Sequence, residues 1–153
     1  MERVSEVAAA VESTVESLLA VLDQARLAQS PAVPPTQLRV LTIVERNRHT
    51  NMSRLAEALA VLPSSASRLC DRLEATGLLR RVPDPRDRRE VRLLVTPAAR
   101  RLLDELRERR RTALAEVLER MAPAGQQDLV RALAAFDAAA TPADQDRADL
   151  RTA

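Results

Sequence analysis

The chain has 153 residues, of which 46% are hydrophobic and only 2 are glycine, which predicts a compact, mostly helical domain with or without helical arms. The single cysteine, Cys70, excludes an internal disulfide and fits a reducing compartment. Because the chain has no long apolar run and a charged residue follows Met1, we expect a cytoplasmic protein without a membrane span. A lone histidine, His49, and the lack of metal-spaced ligands or a glycine-rich phosphate loop argue against an enzyme, a metal site or a cofactor.

The net charge of +2 is unevenly distributed along the chain. All 24 basic residues are arginine, and residues 46–92 contain 11 of them against six acids, a net charge of +5. The rest of the chain carries a net charge of −3. Because the planar guanidinium suits phosphate groups and guanine edges, the basic middle segment predicts a nucleic-acid surface on a neutral scaffold.

The first segment has the apolar spacing of an amphipathic helix. Its apolar residues recur at alternating steps of four and three, which is the pattern of a heptad seam. These residues are Val4, Ala8, Val11, Val15, Leu18, Leu22 and Ala25. We therefore predict a helix from about Arg3 to Gln29 with one apolar stripe, ended by the proline-rich run 30–35.

Two shorter helices are predicted next. Thr36 is the predicted N-cap of the second helix, and Ser53 is the predicted N-cap of a third helix over residues 54–60. The inward face of the second helix consists of Leu38, Leu41 and Val44. Residues 61–62 form the turn that leads to the fourth helix.

The fourth predicted helix has one apolar and one polar face. Pro63 suits its first position, and Gly77 suits the left-handed residue that ends it. Its inward face consists of Ala66, Leu69, Cys70 and Leu73. Its outward face consists of Ser64, Ser65, Ser67, Arg68, Asp71 and Arg72. The inward position of Cys70 favours a packed core thiol over a redox switch.

Beyond Gly77 the apolar period becomes that of strands. Residues 78–82 and 91–95 predict two strands, and the charged turn 83–90 with its two prolines joins them into a hairpin. A helix, a short helix, a turn, a polar-faced helix and a basic hairpin, in this order, form a winged helix-turn-helix domain over residues 36–96.

Two more amphipathic helices are predicted, from residue 97 to about 121 and from about 124 to 138, before a polar tail over 141–153. A winged domain of about 60 residues cannot cover three apolar stripes. Residues 1–29 and 97–140 therefore predict a helical dimerisation region, with a monomeric bundle as the alternative. The expected fold class is mainly α with a small β-hairpin, a winged helix-turn-helix with long helical dimerisation arms.

Arginines 109–111 are expected to pair with nearby acids or a partner chain rather than with an anion.

Two stretches resemble the MarR family of transcription regulators. The recognition helix and strand entry of that family are similar to residues 64–79, SSASRLCDRLEATGLL. Its wing signature is similar to residues 84–89, DPRDRR, followed by residues 91–96. The similarity extends from about Gln37 to Pro97, and the flanking helices match by pattern alone.

The resemblance implies roles for the polar residues of these stretches. The residues that would read or border the major groove are Ser64, Ser65, Ser67, Arg68 and Asp71. Arg72 would hold a phosphate. Arg89, oriented by Asp87, would enter the minor groove with the help of Arg86 and Arg88, and Asp84 would brace the wing by pairing with one of these arginines. The alternatives are a merely solvated turn for the arginines and a helix cap for Ser64 or Ser65.

We therefore expect a homodimer that binds double-stranded DNA at a palindromic operator and acts as a ligand-responsive repressor. Members of the family often bind aromatic anions between the DNA-binding lobe and the dimerisation helices. Because only 1% of this chain is aromatic, an aromatic stacking pocket is not expected and the effector stays unidentified. The runner-up interpretation is a winged-helix protein-interaction module without operator binding.

Overall fold

The computed structural model describes residues 2–28, 32–87 and 89–140. The chain divides into two compact units, residues 1–113 and residues 114–153. Within the described ranges, no helix is both long and apolar enough to cross a membrane. The predictions made for Gln29, for Arg88 and for the tail 141–153 lie outside the described residues.

The predicted fold class is confirmed, since the described residues form six helices and one two-stranded antiparallel sheet. In chain order the elements are α1 (Glu2–Leu27), α2 (Pro35–Arg46), α3 (Met52–Leu59), α4 (Pro63–Ala75), β1 (Leu79–Pro83), β2 (Val91–Val95), α5 (Pro97–Leu118) and α6 (Pro123–Ala140).

The start of α2 differs from the prediction. Thr36 is not its N-cap: Pro34 occupies that position, no side chain caps the helix, and Pro35 is its first residue. The physical reason is that proline has no N–H to leave unsatisfied and already has the backbone φ that a first helical residue needs.

The start of α3 also differs. Ser53 lies inside the helix, and Asn51 is the N-cap, with its side-chain oxygen accepting the N–H of Arg54 at 2.9 Å. Asn51 is extended, with φ −105° and ψ 177°, because its backbone forms an antiparallel bridge with Arg92 of β2. A contact between residues distant in the sequence therefore places the cap, and a local pattern cannot detect it.

The predicted signals at the two ends of α4 are confirmed. Pro63 is the first helical residue, and Gly77 has the left-handed φ of 72°. The N–H of Gly77 donates to the carbonyl of Glu74 at 2.9 Å and that of Leu78 to the carbonyl of Leu73 at 2.8 Å, which is a Schellman ending. Because Leu78 closes the helix, β1 begins at Leu79, one residue later than predicted.

The two strands pair in an antiparallel register from Leu79 opposite Val95 to Pro83 opposite Val91. Thr96, the residue before α5, accepts the N–H of Ala99 at 3.2 Å and donates to the carbonyl of Gly77 at 2.7 Å. The base of the hairpin is thereby tied both to the end of α4 and to the start of α5.

The hydrophobic core of the first unit connects α2, α3, α4, the hairpin and the beginning of α5. Its largest fully buried side chains are Leu41, Leu55, Leu73, Leu79, Leu93, Val40, Thr50 and Cys70. Thr50 satisfies its hydroxyl by donating to the carbonyl of Asn47 at 2.8 Å. On α4 the residues predicted to face inward are buried, with Leu69 half-buried.

The helix α1 and the helix α6 of the second unit leave apolar side chains exposed. Over residues 3–27 of α1 only Ala25 is buried, whereas Val4 and Val7 are 74% and 57% exposed. No residue of α6 is buried within its described length. The exposed large apolar residues of α6 are Leu129, Val130, Leu133 and Phe136. A large exposed apolar face of this kind calls for a covering partner.

Candidate nucleic-acid interface

The outward face of α4 is a polar surface supported by the core. The buried residues Ala66, Cys70 and Leu73 hold one side of the helix against the rest of the unit. The predicted readout residues therefore lie on the other side: Ser64, Ser65, Arg68, Asp71 and Arg72 are exposed and Ser67 is half-buried. Leu62 caps the helix through its backbone alone, so that neither Ser64 nor Ser65 is used as the cap.

Two aspartates form hydrogen bonds within the described part of the loop that joins β1 to β2. Asp84 accepts the N–H of Arg86 at 2.8 Å, and Asp87 accepts the N–H of Arg89 at 2.9 Å. Its ends are closed by the N–H of Asp84, which donates to the carbonyl of Glu90 at 2.9 Å. The aspartates thus hold the backbone of these arginines, and the exposed guanidinium groups of Arg86 and Arg89 have no ion-pair partner among the described residues.

Arg81 of β1 connects the hairpin to α4, a contact that the sequence analysis missed. Its Nη1 lies 2.8 Å from Asp71 Oδ1 and 2.5 Å from Glu74 Oε2, and its Nη2 lies 3.3 Å from the carbonyl of Ser67. Burial disfavours its charge, but the hydrogen bond to Asp71 and the charge of Glu74 outweigh this and raise the pKa of Arg81 above its ordinary value. The available signal was a cation shortly after a helix that carries two acids three positions apart.

Cys70 lies directly beneath this cluster and is fully buried. The pKa of its thiol is raised from 9.0 to about 11: burial is the largest cause, Arg81 lowers the pKa, and Asp71 and Glu74 raise it. The thiol is therefore protonated at neutral pH and has little nucleophilic character, which agrees with a packed core residue.

A second feature of the first unit is a cavity of about 610 Å³ between α1, α2 and the first half of α5. Apolar and basic side chains and one acid line it; Asp23 is the acid and pairs with Arg26 at 2.8 Å. The other lining residues include Leu19, Leu22, Leu38, Arg39, Leu103, Arg107 and Arg110. The Nε of Arg110 is buried without a hydrogen-bond acceptor among the described residues. Arg107 instead pairs with Glu45 and with Asp104, and the hydrogen bond to Glu45 is the largest cause that raises the pKa of Arg107.

The comparisons with known proteins agree with this architecture. The model of the MarR family matches residues 33–91. The transcriptional repressor MdtR of Bacillus subtilis is 30% identical over 90 residues, which are 59% of this chain and 58% of MdtR. The crystal structure of RV1404 from Mycobacterium tuberculosis matches with 34% identity and a TM-score of 0.82, over 93% of this chain and 97% of that one. The chain belongs to the MarR family.

The match to the MarR family model includes the whole of α4 and β1. The structure of a MarR family protein from Bacillus stearothermophilus has the same fold, with a TM-score of 0.80 at 23% identity over 93% of this chain and 99% of that one. The match to MdtR spans less than two thirds of that protein's length. MarR relatives are transcriptional regulators, which is not an enzyme class.

Proposed function

We propose that this MarR-family chain is a homodimeric transcription regulator that binds double-stranded DNA sequence-specifically at a palindromic operator. The observation that carries the proposal is the joint presentation of an exposed polar face on α4 and, on the hairpin loop, two exposed arginines without an ion-pair partner in the described ranges. A helix of this kind fits the major groove, while a guanidinium group at a hairpin tip fits the negative potential of the minor groove.

In this proposal the contacts are divided by type. The residues that face or border the major groove are Ser64, Ser65, Ser67, Arg68 and Asp71. Arg72 holds a phosphate, and Arg86, Arg88 and Arg89 act at the minor groove. The net charge of +5 over residues 46–92 supplies the sequence-independent attraction to the duplex.

The dimer is proposed to form through residues 1–29 and 97–140, and the winged domain to comprise residues 36–96. The exposed apolar side chains of α1 and, separately, of α6 support this assignment. A two-fold axis presents two recognition helices to two half-sites about one helical turn apart, which is what a palindrome requires.

The first test is DNA binding as a function of salt. We expect DNA fragments retained by the purified protein to share a palindromic motif, and affinity for that motif to fall about a thousandfold between about 50 mM and about 200 mM salt, through release of condensed counterions. Mobility-shift titrations with the motif and with a scrambled duplex measure both quantities. Equal affinity for the two duplexes would contradict sequence-specific operator recognition. If the protein binds neither duplex at low salt, the protein-interaction module is favoured instead.

The proposal also includes an effector that binds the cavity between α1, α2 and α5 and weakens DNA binding by changing the separation of the two recognition helices. Its arginines outnumber its single acid, Asp23, and the Nε of Arg110 has no acceptor in the part of the chain that the structure describes, which together with the apolar lining supports an aliphatic anion. An aromatic stacking partner is lacking because the chain's single phenylalanine, Phe136, is not among the lining residues.

Octanoate is a suitable probe of this cavity because it combines an apolar chain with one negative charge. We expect saturating octanoate to lower DNA affinity about tenfold, within the usual range of allosteric coupling, and octanol, which lacks the charge, to have little effect. Arg110→Met should remove the response, whereas Arg111→Met, which changes an exposed neighbour outside the lining, should keep it. A response that survives Arg110→Met places the anion elsewhere.

A further inference from the structure

The connection between α4 and the hairpin is a three-residue link that contains the one glycine of the first unit. Gly77 has a left-handed φ of 72°, and a Cβ built there would meet nothing within 4 Å. The recognition helix ends at Ala75 and β1 begins at Leu79, so the angle between them depends on contacts made beyond this link. One such contact is the 2.7 Å hydrogen bond that Thr96, at the end of the hairpin, donates to the carbonyl of Gly77 in the link.

Arg81 of β1 makes the other contacts that join the hairpin to α4. Glu74 accepts its backbone N–H at 3.1 Å with one carboxylate oxygen and its Nη1 at 2.5 Å with the other. Asp71 accepts the same Nη1 at 2.8 Å, and the Nη2 reaches the carbonyl and the hydroxyl of Ser67 at 3.3 Å and 3.4 Å. One strand residue is thereby fixed to three successive turns of the exposed side of α4.

The charges of this cluster make a direct phosphate contact by Arg81 unfavourable. Two carboxylates surround one guanidinium group, so the cluster of Arg81, Asp71 and Glu74 has a net charge of −1 in the basic segment. The side chain of Arg81 is only 26% exposed, whereas that of Asp71 is 60% exposed. Isolated surface ion pairs contribute little, but a network that shares one guanidinium group and a backbone N–H restrains geometry.

We infer that Arg81 is a positioning residue for DNA recognition: it sets the angle of the hairpin against α4, so that the loop arginines and the recognition helix can engage one duplex together. This inference rests on the proposed function. It also assigns Asp71, which the sequence analysis placed on the groove-facing side, to holding Arg81 rather than to reading a base.

The inference is tested by whether removing the negative charges that hold Arg81 raises or lowers the affinity for DNA. Asp71→Asn combined with Glu74→Gln removes two negative charges near the duplex, so Coulomb attraction alone would strengthen DNA binding. Loss of the hairpin angle would weaken it instead, and we expect about a tenfold lower affinity, the size of one well-formed contact. Glu57→Gln, which removes an exposed charge on α3 with no contact to Arg81, is the matched control and should leave affinity unchanged or raise it.

A double-mutant cycle shows whether Arg81 acts through the loop. If Arg81→Met weakens binding because the loop is misplaced, then adding Arg89→Ala should cost much less than it does in the wild-type protein. Fully additive losses, a tighter complex for the double acid variant, or a changed base preference in it would each overturn the positioning role.

A measurement without DNA separates this inference from the proposed function. Amide hydrogen exchange of residues 79–95 in the free protein should accelerate at least about tenfold in Arg81→Met and stay unchanged in Glu57→Gln, because a freed hairpin opens more often. Unchanged exchange in Arg81→Met contradicts the inference even if the wild type binds DNA. Faster exchange in a protein that binds no duplex leaves Arg81 as a hairpin restraint, and its role in DNA recognition is then overturned together with the proposed function.

Discussion

Replacing Val11 with glutamate is expected to dissociate the dimer and to lower operator affinity by at least about a hundredfold, because the second half-site then no longer binds as part of the same complex. Val11 lies on the apolar stripe of α1 and is 45% exposed in the single chain, so the substitution leaves the protomer core intact. In a dimer the carboxylate would be buried without a partner, which is strongly unfavourable. Sedimentation velocity measures the assembly state, and a mobility shift measures the affinity.

The matched control for this variant is Ala9→Glu. Ala9 is exposed on the opposite side of the same helix, so the new charge is identical but lies off the stripe. We expect this variant to stay dimeric and to bind DNA as the wild type does. If Val11→Glu stays dimeric with unchanged affinity, or if both variants dissociate equally, α1 does not form the dimer interface through this face.

The second large effect is expected for Arg89→Ala. Asp87 holds the backbone of this residue in the loop, and its guanidinium group is exposed, so the substitution changes a surface group and leaves the hairpin fold intact. Because a dimer loses two minor-groove contacts at once, affinity should fall about tenfold to a hundredfold. Isothermal or fluorescence titration with the selected operator measures the change.

The control for Arg89→Ala is Arg120→Ala, which makes the same change in net charge at an exposed residue outside residues 36–96. We expect it to alter affinity by less than about twofold, since the proposal assigns no DNA contact to Arg120. An equal loss in the two variants would mean that only net charge matters and would remove the hairpin loop from DNA recognition.

The elements of this protein were largely predictable because they depend on short-range patterns. The apolar spacing of α4, Pro63 at its start and Gly77 at its end are local signals, and the structure contains each of them. The change from a helical to a strand period after Gly77 predicted the hairpin, whose second strand begins and ends where the pattern placed it. The order of these elements, together with the wing-like loop sequence, was sufficient to indicate the MarR family.

Contacts between residues distant in the sequence decided the rest. Asn51 rather than Ser53 caps α3 because Asn51 pairs with Arg92, which is far along the chain. The partners of Arg81 depend on the angle at which β1 leaves α4, and no spacing rule specifies that angle. The cavity is lined by the consecutive helices α1 and α2 and by α5, which lies far along the chain from both.

What the sequence could and could not predict differs in the distance along the chain over which the interactions act. Turns, apolar faces and the proline and glycine signals at the ends of α4 depend on the few residues around each position, so the amino-acid sequence alone determined the elements, their order and the polar face of α4. The partners of charged side chains depend on packing, because an exposed arginine can reach many acids until a core fixes its backbone. Only the tertiary structure could therefore decide that Asp71 and Glu74 hold Arg81, while Arg86 and Arg89 have no ion-pair partner among the described residues.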